Sequence, residues 1–200
     1  MTTHDLMEHF PVDPDDLRRL HTRLERAAQV GDLLDIAYRT VDSAVGPLLL
    51  AATTHGLLRV AFASEGQERV LEDLAQRISP RMLEAPARLD PIVRQLDEYF
   101  TGRRQAFDVE LDWSLSQGFR RTVLGHLATD IAYGTSASYA RLALLSGSRR
   151  AVRAVGTACA TNPIPIVVPC HRVIRSDGTM GNYRGGPEAK RALLELERPR

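Results

Sequence analysis

Pro165-Ile166-Val167-Val168-Pro169-Cys170-His171-Arg172-Val173 sets a cysteine directly before a histidine, at the end of an apolar run bounded by two prolines. Each proline fixes its own φ and pushes the residue before it toward extended backbone. The run is therefore expected to be a stiff, extended segment that delivers Cys170 to a fixed place. A reacting atom needs such placement, which makes Cys170 a candidate nucleophile. A buried structural thiol is the competing reading, because free cysteines are usually buried. The rest of the chain has to decide between them.

The composition, 44% apolar and 26% charged over 200 residues, is that of a globular protein. The length suits one ordinary domain or two small ones. Cys159 and Cys170 are the only cysteines, too few for a disulfide framework and not at metal-ligand spacing. A reactive thiol suits a reducing compartment, so a cytoplasmic location is expected, nucleoid-associated if the source is bacterial. No run is long and apolar enough to span a membrane, and no signal-peptide pattern opens the chain. The net charge of +1 hides an asymmetry. Residues 118–200 hold 13 Lys and Arg against 5 Asp and Glu, whereas residues 1–117 hold 13 against 20. A basic C-terminal part points to a polyanionic partner, although a merely solvated basic surface gives the same count.

Residues 1–33 read as a helical extension. Asp13-Pro14-Asp15-Asp16 is a helix start, and Leu17, Leu20, Leu24 and Ala28 share a stripe. His4, His9 and His21 match no metal-ligand spacing and are expected to be exposed. Residues 34–113 read as a small α+β domain. Strands are expected at 36–41, 48–52 and 57–62, in an antiparallel meander with turns at Gly46-Pro47 and His55-Gly56. Helices follow at 68–78 and 91–100, and 107–111 alternates as an edge strand would.

Residues 114–200 carry helical signals only, at 119–131, from Ser138 to Leu145, over 149–160 and over 188–197. Ser138 is a natural helix cap. Helix, Gly147-Ser148 turn and slim basic helix outline a helix-turn-helix, and equally a plain helical hairpin. The glycine-rich loop Gly181-Asn182-Tyr183-Arg184-Gly185-Gly186 is a candidate pocket wall, and it lacks the Gly-Lys-Ser/Thr of a phosphate-binding loop.

Together these residues resemble the methylated-DNA–protein-cysteine methyltransferases, also called alkylguanine-DNA alkyltransferases. The matching runs are Arg150-Ala151-Val152-Arg153-Ala154-Val155-Gly156, Asn162-Pro163, Pro169-Cys170-His171-Arg172-Val173, Gly181 to Gly186, Lys190 and Glu197. The looser match in the first half runs through Asp42-Ser43, Gly46-Pro47-Leu48 and Leu96-Asp97-Glu98-Tyr99-Phe100. The resemblance implies an N-terminal α+β domain, with an RNase-H-like antiparallel sheet and helices, and an all-α C-terminal domain with a helix-turn-helix. It implies transfer of the alkyl group from the 6-oxygen of guanine in double-stranded DNA onto Cys170, once per molecule. No cofactor, metal or membrane is implied, and a monomer is expected. O-4-methylthymine is a further lesion the family brings to mind.

The resemblance also assigns roles. His171 takes the cysteine proton through a water, and Glu197 orients and stabilises the imidazole, the logic of a nucleophile triad. Tyr139 protonates N3 of the base and Lys190 assists beside it. Asn162, Val173, Tyr183, Arg184 and Gly185 form the substrate pocket, with backbone groups reading the guanine edge. Arg153 fills the stack vacated by a flipped base, from a helix slim enough at Ala151, Ala154 and Gly156 to enter the minor groove. Arg149, Arg150 and Arg172 are expected on phosphates. Departures from the family pattern are Ala132, Leu124 and Arg184, the last bulky enough to reshape the pocket. Two other readings stand beside this one. A lesion sensor without enzymatic activity would keep the helix-turn-helix and replace the cysteine. A Cys-His hydrolase acting on small substrates would leave the basic helix without a purpose.

Overall fold

Leu48-Leu49-Leu50-Ala51-Ala52-Thr53 is apolar at nearly every position, so neither of its faces can meet water. It forms the interior strand β2 (Leu48–Thr53), between β1 (Ile36–Val41) and β3 (Gly56–Phe62), both antiparallel to it. The structure, a computed structural model, describes residues 13–198. The sheet is not purely antiparallel as expected: β4 (Met82–Glu84) joins the far edge parallel to β1, giving the order β3-β2-β1-β4. Three residues just after a proline carry no readable period, which is why the sequence hides this strand. Residues 107–111 are not a strand either, and only a single bridge, Leu57 to Leu111, forms there. The backbone of Asp108 is met by the Gln95 side chain instead, which accepts from its N–H and donates to its carbonyl, both at 2.8 Å.

Before the sheet, α1 (Pro14–Val30) starts at the anticipated proline, and its Leu17, Leu20 and Leu24 remain more than half exposed. His21, expected to be exposed, is partly covered and donates to the Glu84 carbonyl. His4 and His9 lie outside the described residues. The two faces of the sheet serve different ends. Ile36, Leu49, Ala51, Leu58 and Ala61 pack on α2 (Gln67–Arg77) through Val70 and Leu74. Leu48, Leu50, Val60 and Phe62 pack on α3 (Asp90–Phe100) and continue without interruption into the C-terminal helices.

Those helices are α4 (Gly118–Asp130), α5 (Tyr139–Leu145), α6 (Val152–Ala160) and α7 (Gly186–Leu196). Val123, Leu124 and Leu127 of α4, Leu142 and Ala143 of α5, and Val155, Ala158 and Cys159 of α6 all join the core shared with the sheet. Ser138 Oγ accepts from the Arg141 N–H at 3.1 Å and caps α5 as its sequence position anticipates. The C-terminal domain is helical, with one short strand pair added. Strand β5 (Ala137–Ser138) pairs in parallel with β6 (Val173–Ile174), tying the entry of the helix-turn-helix to the backbone just past the cysteine.

The apolar run before Cys170 departs most from expectation. It is a turn, not an extended segment: the Val168 N–H bonds to the Ile164 carbonyl at 2.9 Å. Ile166 takes a φ of 74°, a left-handed conformation that a β-branched residue rarely adopts. The prolines constrain themselves and the residues before them, but Ile166 precedes neither, and its own burial in the core holds it. On its outer side β3 is covered by this segment, because the Val60 N–H donates to the Pro163 carbonyl at 2.9 Å.

Candidate active site

Cys170 opens a single 3₁₀ turn (Cys170–Arg172) directly after the strained segment, and its side chain is buried. The Asn162 Nδ2 donates to Cys170 Sγ at 3.1 Å and to the Val168 carbonyl at 2.8 Å, while Asn162 Oδ1 accepts from the Ile164 N–H. Asn162 thus braces the turn and touches the sulfur. Burial pushes the Cys170 thiol up to about 11, with the Asn162 hydrogen bond and the charges of Lys190 and Arg184 pulling the other way. The resting group is a thiol, and a thiol is a poor nucleophile. A base is needed.

His171 stands next in the same turn, fully buried, with Nε2 2.9 Å from Glu197 Oε1. Burial pulls the imidazole below its usual range, and Glu197 opposes this. Burial alone would raise the Glu197 carboxyl. The hydrogen bonds from His171 and Arg172 outweigh it and hold the group at about 2. An ionised carboxylate only accepts, so the shared proton sits on His171 Nε2. Nδ1 is then an unprotonated lone pair, buried and without a protein hydrogen-bond partner among the described residues. The histidine is fixed in the tautomer that can receive a proton.

Glu197 caps α7 and is held by three side chains. Besides His171, the Tyr99 hydroxyl donates to Oε1 at 2.6 Å, and Arg172 spans both oxygens at 2.8 and 2.9 Å. The remaining Arg172 nitrogen donates to the Ile131 carbonyl at 2.6 Å. This corrects the expectation for Arg172. Its guanidinium is buried, with its nitrogens taken by Glu197 and the Ile131 carbonyl rather than turned to the surface.

The other expected pocket residues converge on the same place. Lys190 is fully buried on α7, and its Nζ donates to the carbonyls of Val173 and Gly181, at 2.7 and 3.3 Å. Burial lowers its proton affinity, and Cys170 and Cys159 oppose that. Tyr139, half-buried at the start of α5, lies over Gly181 so closely that a Cβ there would stand 2.2 Å from the tyrosine oxygen. Burial, then the nearby thiols, raise its hydroxyl above the ordinary range. Tyr183 packs edge-on to His171 and Phe62, with ring centroids 6.2 and 5.6 Å apart. Gly185 abuts the same Phe62, where a Cβ would be 2.6 Å from the ring. Arg184 spans from the Asn162 carbonyl to Glu65.

The second group of expected residues lies on the outside of the helix-turn-helix. Helix α6 begins at Val152, so Arg149 and Arg150 sit in the turn before it and Ala151 at its cap. Arg149, Arg150, Arg153 and Ala154 are exposed, and Ala151 and Gly156 partly so. Three guanidiniums around a helix N-terminus that carries no acid make a positive surface.

Tyr99, Arg59 and Glu65 were not foreseen as part of this centre. Arg59 carried the clearest signal, a charge inside the apolar run Leu57-Leu58-Arg59-Val60-Ala61-Phe62, since a buried charge needs a partner. It ion-pairs with Glu65 and donates to the Pro163 carbonyl at 3.0 Å. Tyr99 carried no signal beyond its place in the run Leu96 to Phe100 through which the resemblance extends into the first half.

Two family profiles match the chain: the 6-O-methylguanine DNA methyltransferase ribonuclease-like domain over residues 36–113, and the DNA binding domain of the same name over 118–199. The methylated-DNA–protein-cysteine methyltransferase of Mycobacterium tuberculosis is 42% identical over 165 residues, covering 82% of this chain and 94% of that protein. That of Methanosarcina barkeri is 37% identical over 160 residues, covering 80% and 96%. The crystal structure of Mycobacterium tuberculosis OGT in complex with DNA aligns with a TM-score of 0.69 at 40% identity, covering 81% of this chain and 92% of that one.

Proposed function

This chain belongs to the methylated-DNA–protein-cysteine methyltransferase family, and we propose that it reverses alkylation damage by moving the alkyl group from the 6-oxygen of guanine in duplex DNA onto Cys170. The observation that carries the reading is the buried line Cys170, His171, Glu197, in which a protonated thiol stands beside an imidazole whose free nitrogen is Nδ1. A water between Sγ and Nδ1 passes the thiol proton to His171, and Glu197 stabilises the resulting imidazolium. The sulfur lone pair forms the S–C bond as the O6–C bond breaks. The electron pair left on the base is relieved by a proton delivered from Tyr139 to N3. Asn162 holds the sulfur in place before attack. The thioether has no route back to a thiol within this site, so each molecule acts once.

The target base has to leave the duplex to reach a buried sulfur, at a cost of a few kcal/mol. Arg153, exposed in the first turn of α6, is placed to enter the vacated stack. Arg149 and Arg150 supply phosphate contacts, which makes binding salt-dependent and largely indifferent to sequence. The protein acts as a monomer in this reading.

The test is intact and peptide mass spectrometry after mixing the protein with a duplex containing O-6-methylguanine. One methyl on the peptide carrying Cys170, absent from Cys170→Ser, is the expected result. Lesion binding without methylation would overturn the transfer and leave a sensor. A parallel duplex with O-4-methylthymine decides whether that base is also repaired.

A further inference from the structure

Glu65 closes the 3₁₀ turn (Ala63–Glu65) that follows β3, in the ribonuclease-like domain, far in sequence from the reactive cysteine. Its carboxylate is nearly buried and immobilised by its own backbone, since Oε1 accepts from the Phe62 N–H at 3.0 Å. Oε2 takes two guanidiniums, from Arg59 and from Arg184, the latter at 2.7 Å. Arg59 is locked in place, because it also donates to the carbonyls of Val60 and Pro163. Arg184 is not: it sits on the glycine-rich loop, about a third of its side chain is exposed, and its other partner is the Asn162 carbonyl at 3.2 Å. Asn162 is the residue that touches Cys170 Sγ. Arg184 thus bridges the two, Nε on Glu65 and Nη1 on the Asn162 carbonyl, and Glu65 is the anchor on the side away from the sulfur.

We propose that Glu65 is a specificity-determining positioning residue, which holds Arg184 outward and keeps the space beside Cys170 open to alkyl groups larger than methyl. This rests on Cys170 being the alkyl acceptor. Without the carboxylate, Arg59 and Arg184 are like charges with no counter-ion between them, and Arg184 is the one free to move. Its inward swing fills volume that a methyl group does not need and a benzyl group does. The same turn presses Phe62 on Gly185 and Tyr183, so the loop backbone stays in place while the side chain moves.

The experiment measures single-turnover transfer by the full chain from duplexes carrying O-6-methylguanine or O-6-benzylguanine. The proteins are the wild type, Glu65→Gln, and Glu65→Gln combined with Arg184→Ser. Glu65→Gln is expected to slow benzyl transfer about tenfold more than methyl transfer, the scale on which a pocket discriminates by volume. Removing the arginine in the double variant is expected to restore the benzyl-to-methyl ratio. Equal slowing of both substrates, or a double variant that keeps the deficit, would overturn the proposal, since either indicates a structural role only. A wild type that accepts methyl and refuses benzyl also overturns it. A wild type that transfers neither would instead sink the function proposed above. If Glu65→Gln does not fold, Glu65→Asp keeps the charge beside Arg59 while shortening the reach to Arg184, and the same benzyl-selective loss is required of it.

Discussion

Replacing Arg172 with methionine tests the assignment of that residue to the interior. The thioether keeps the apolar bulk and removes the guanidinium. What is lost is a pair of charge-assisted bonds to Glu197, at 2.8 and 2.9 Å, and a bond to the Ile131 carbonyl. Breaking one side of a buried ion pair costs about 3–5 kcal/mol. Glu197 retains Tyr99 and His171 and has a proton source in the imidazole, so the lower end applies, about 3 kcal/mol. For a chain of this length that is a fall of roughly 6–12 °C in Tm. Chemistry changes as well. The Arg172 charge helps keep His171 neutral. Without it the imidazole holds a proton to higher pH, and a protonated imidazole is no base. Transfer at neutral pH should drop and recover as the pH rises, moving the acidic limb of the pH–rate profile upward. DNA binding should keep its salt dependence, because no phosphate contact is removed. Calorimetry, single-turnover rates across pH and a salt titration of affinity read these three effects. A Tm within about 2 °C of wild type, together with a salt slope reduced by about 0.9, would refute the argument and return Arg172 to the DNA surface.

Four further outcomes follow from the site. The Glu197 carboxyl sits at about 2 against an ordinary 4.5, so its contribution is whole above about 4.5 and is lost as the pH falls toward 2. The wild type should lose roughly 3 kcal/mol across that window and Glu197→Gln much less, so parallel acid-unfolding curves would contradict the buried carboxylate. Cys170, pushed up to about 11, should react with iodoacetamide at a rate that still climbs tenfold per pH unit near pH 9; a plateau by then means a thiolate already formed. Gly181→Ala forces Tyr139 off its place. It should slow methyl transfer at least about tenfold at unchanged lesion affinity, and a wild-type rate would remove Tyr139 from the proton path. Arg150→Ala should weaken DNA binding and lower the salt slope by about 0.9, whereas an unchanged slope would exclude a phosphate contact there.

What could be read of the centre from single residues was the Cys170-His171 pair after two prolines and Ser138 as a cap before an apolar run. Asn162, Tyr139, Lys190 and Glu197 stand out only through the family resemblance, because none of them carries a local signal. The antiparallel strands were legible because β2 and β3 are long and apolar and the turns between strands carry glycine. The missed features depend on what lies across the fold. Arg172 reads as one more arginine in a basic half until Glu197 is brought over it by α7. Tyr99 on α3 reads as core until the same carboxylate arrives. The turn at Ile166 cannot be inferred from proline constraints, because its positive φ is held by burial in the core. Strand β4 is too short for any pattern to form.

The Pro163 carbonyl on the outer edge of β3 has a consequence for how the protein is made. An unpaired strand edge is a template for aggregation, and here residues 110–112 meet its Leu57 end while the cover at Val60 comes from a segment about 100 residues further along the chain. The apolar face of the sheet, covered in part by α3, is likewise completed by the C-terminal helices. During synthesis the N-terminal half emerges first and must wait with the Val60 stretch of that edge open and its α3-covered face incomplete. The activating carboxylate is later still, 26 residues beyond His171. A nascent chain therefore carries its cysteine for some time without the His171–Glu197 pair that the proposed transfer requires, and completes that pair only when the strand edge is sealed and Glu197 has docked. Protection from aggregation and acquisition of chemistry are completed by the same late closure.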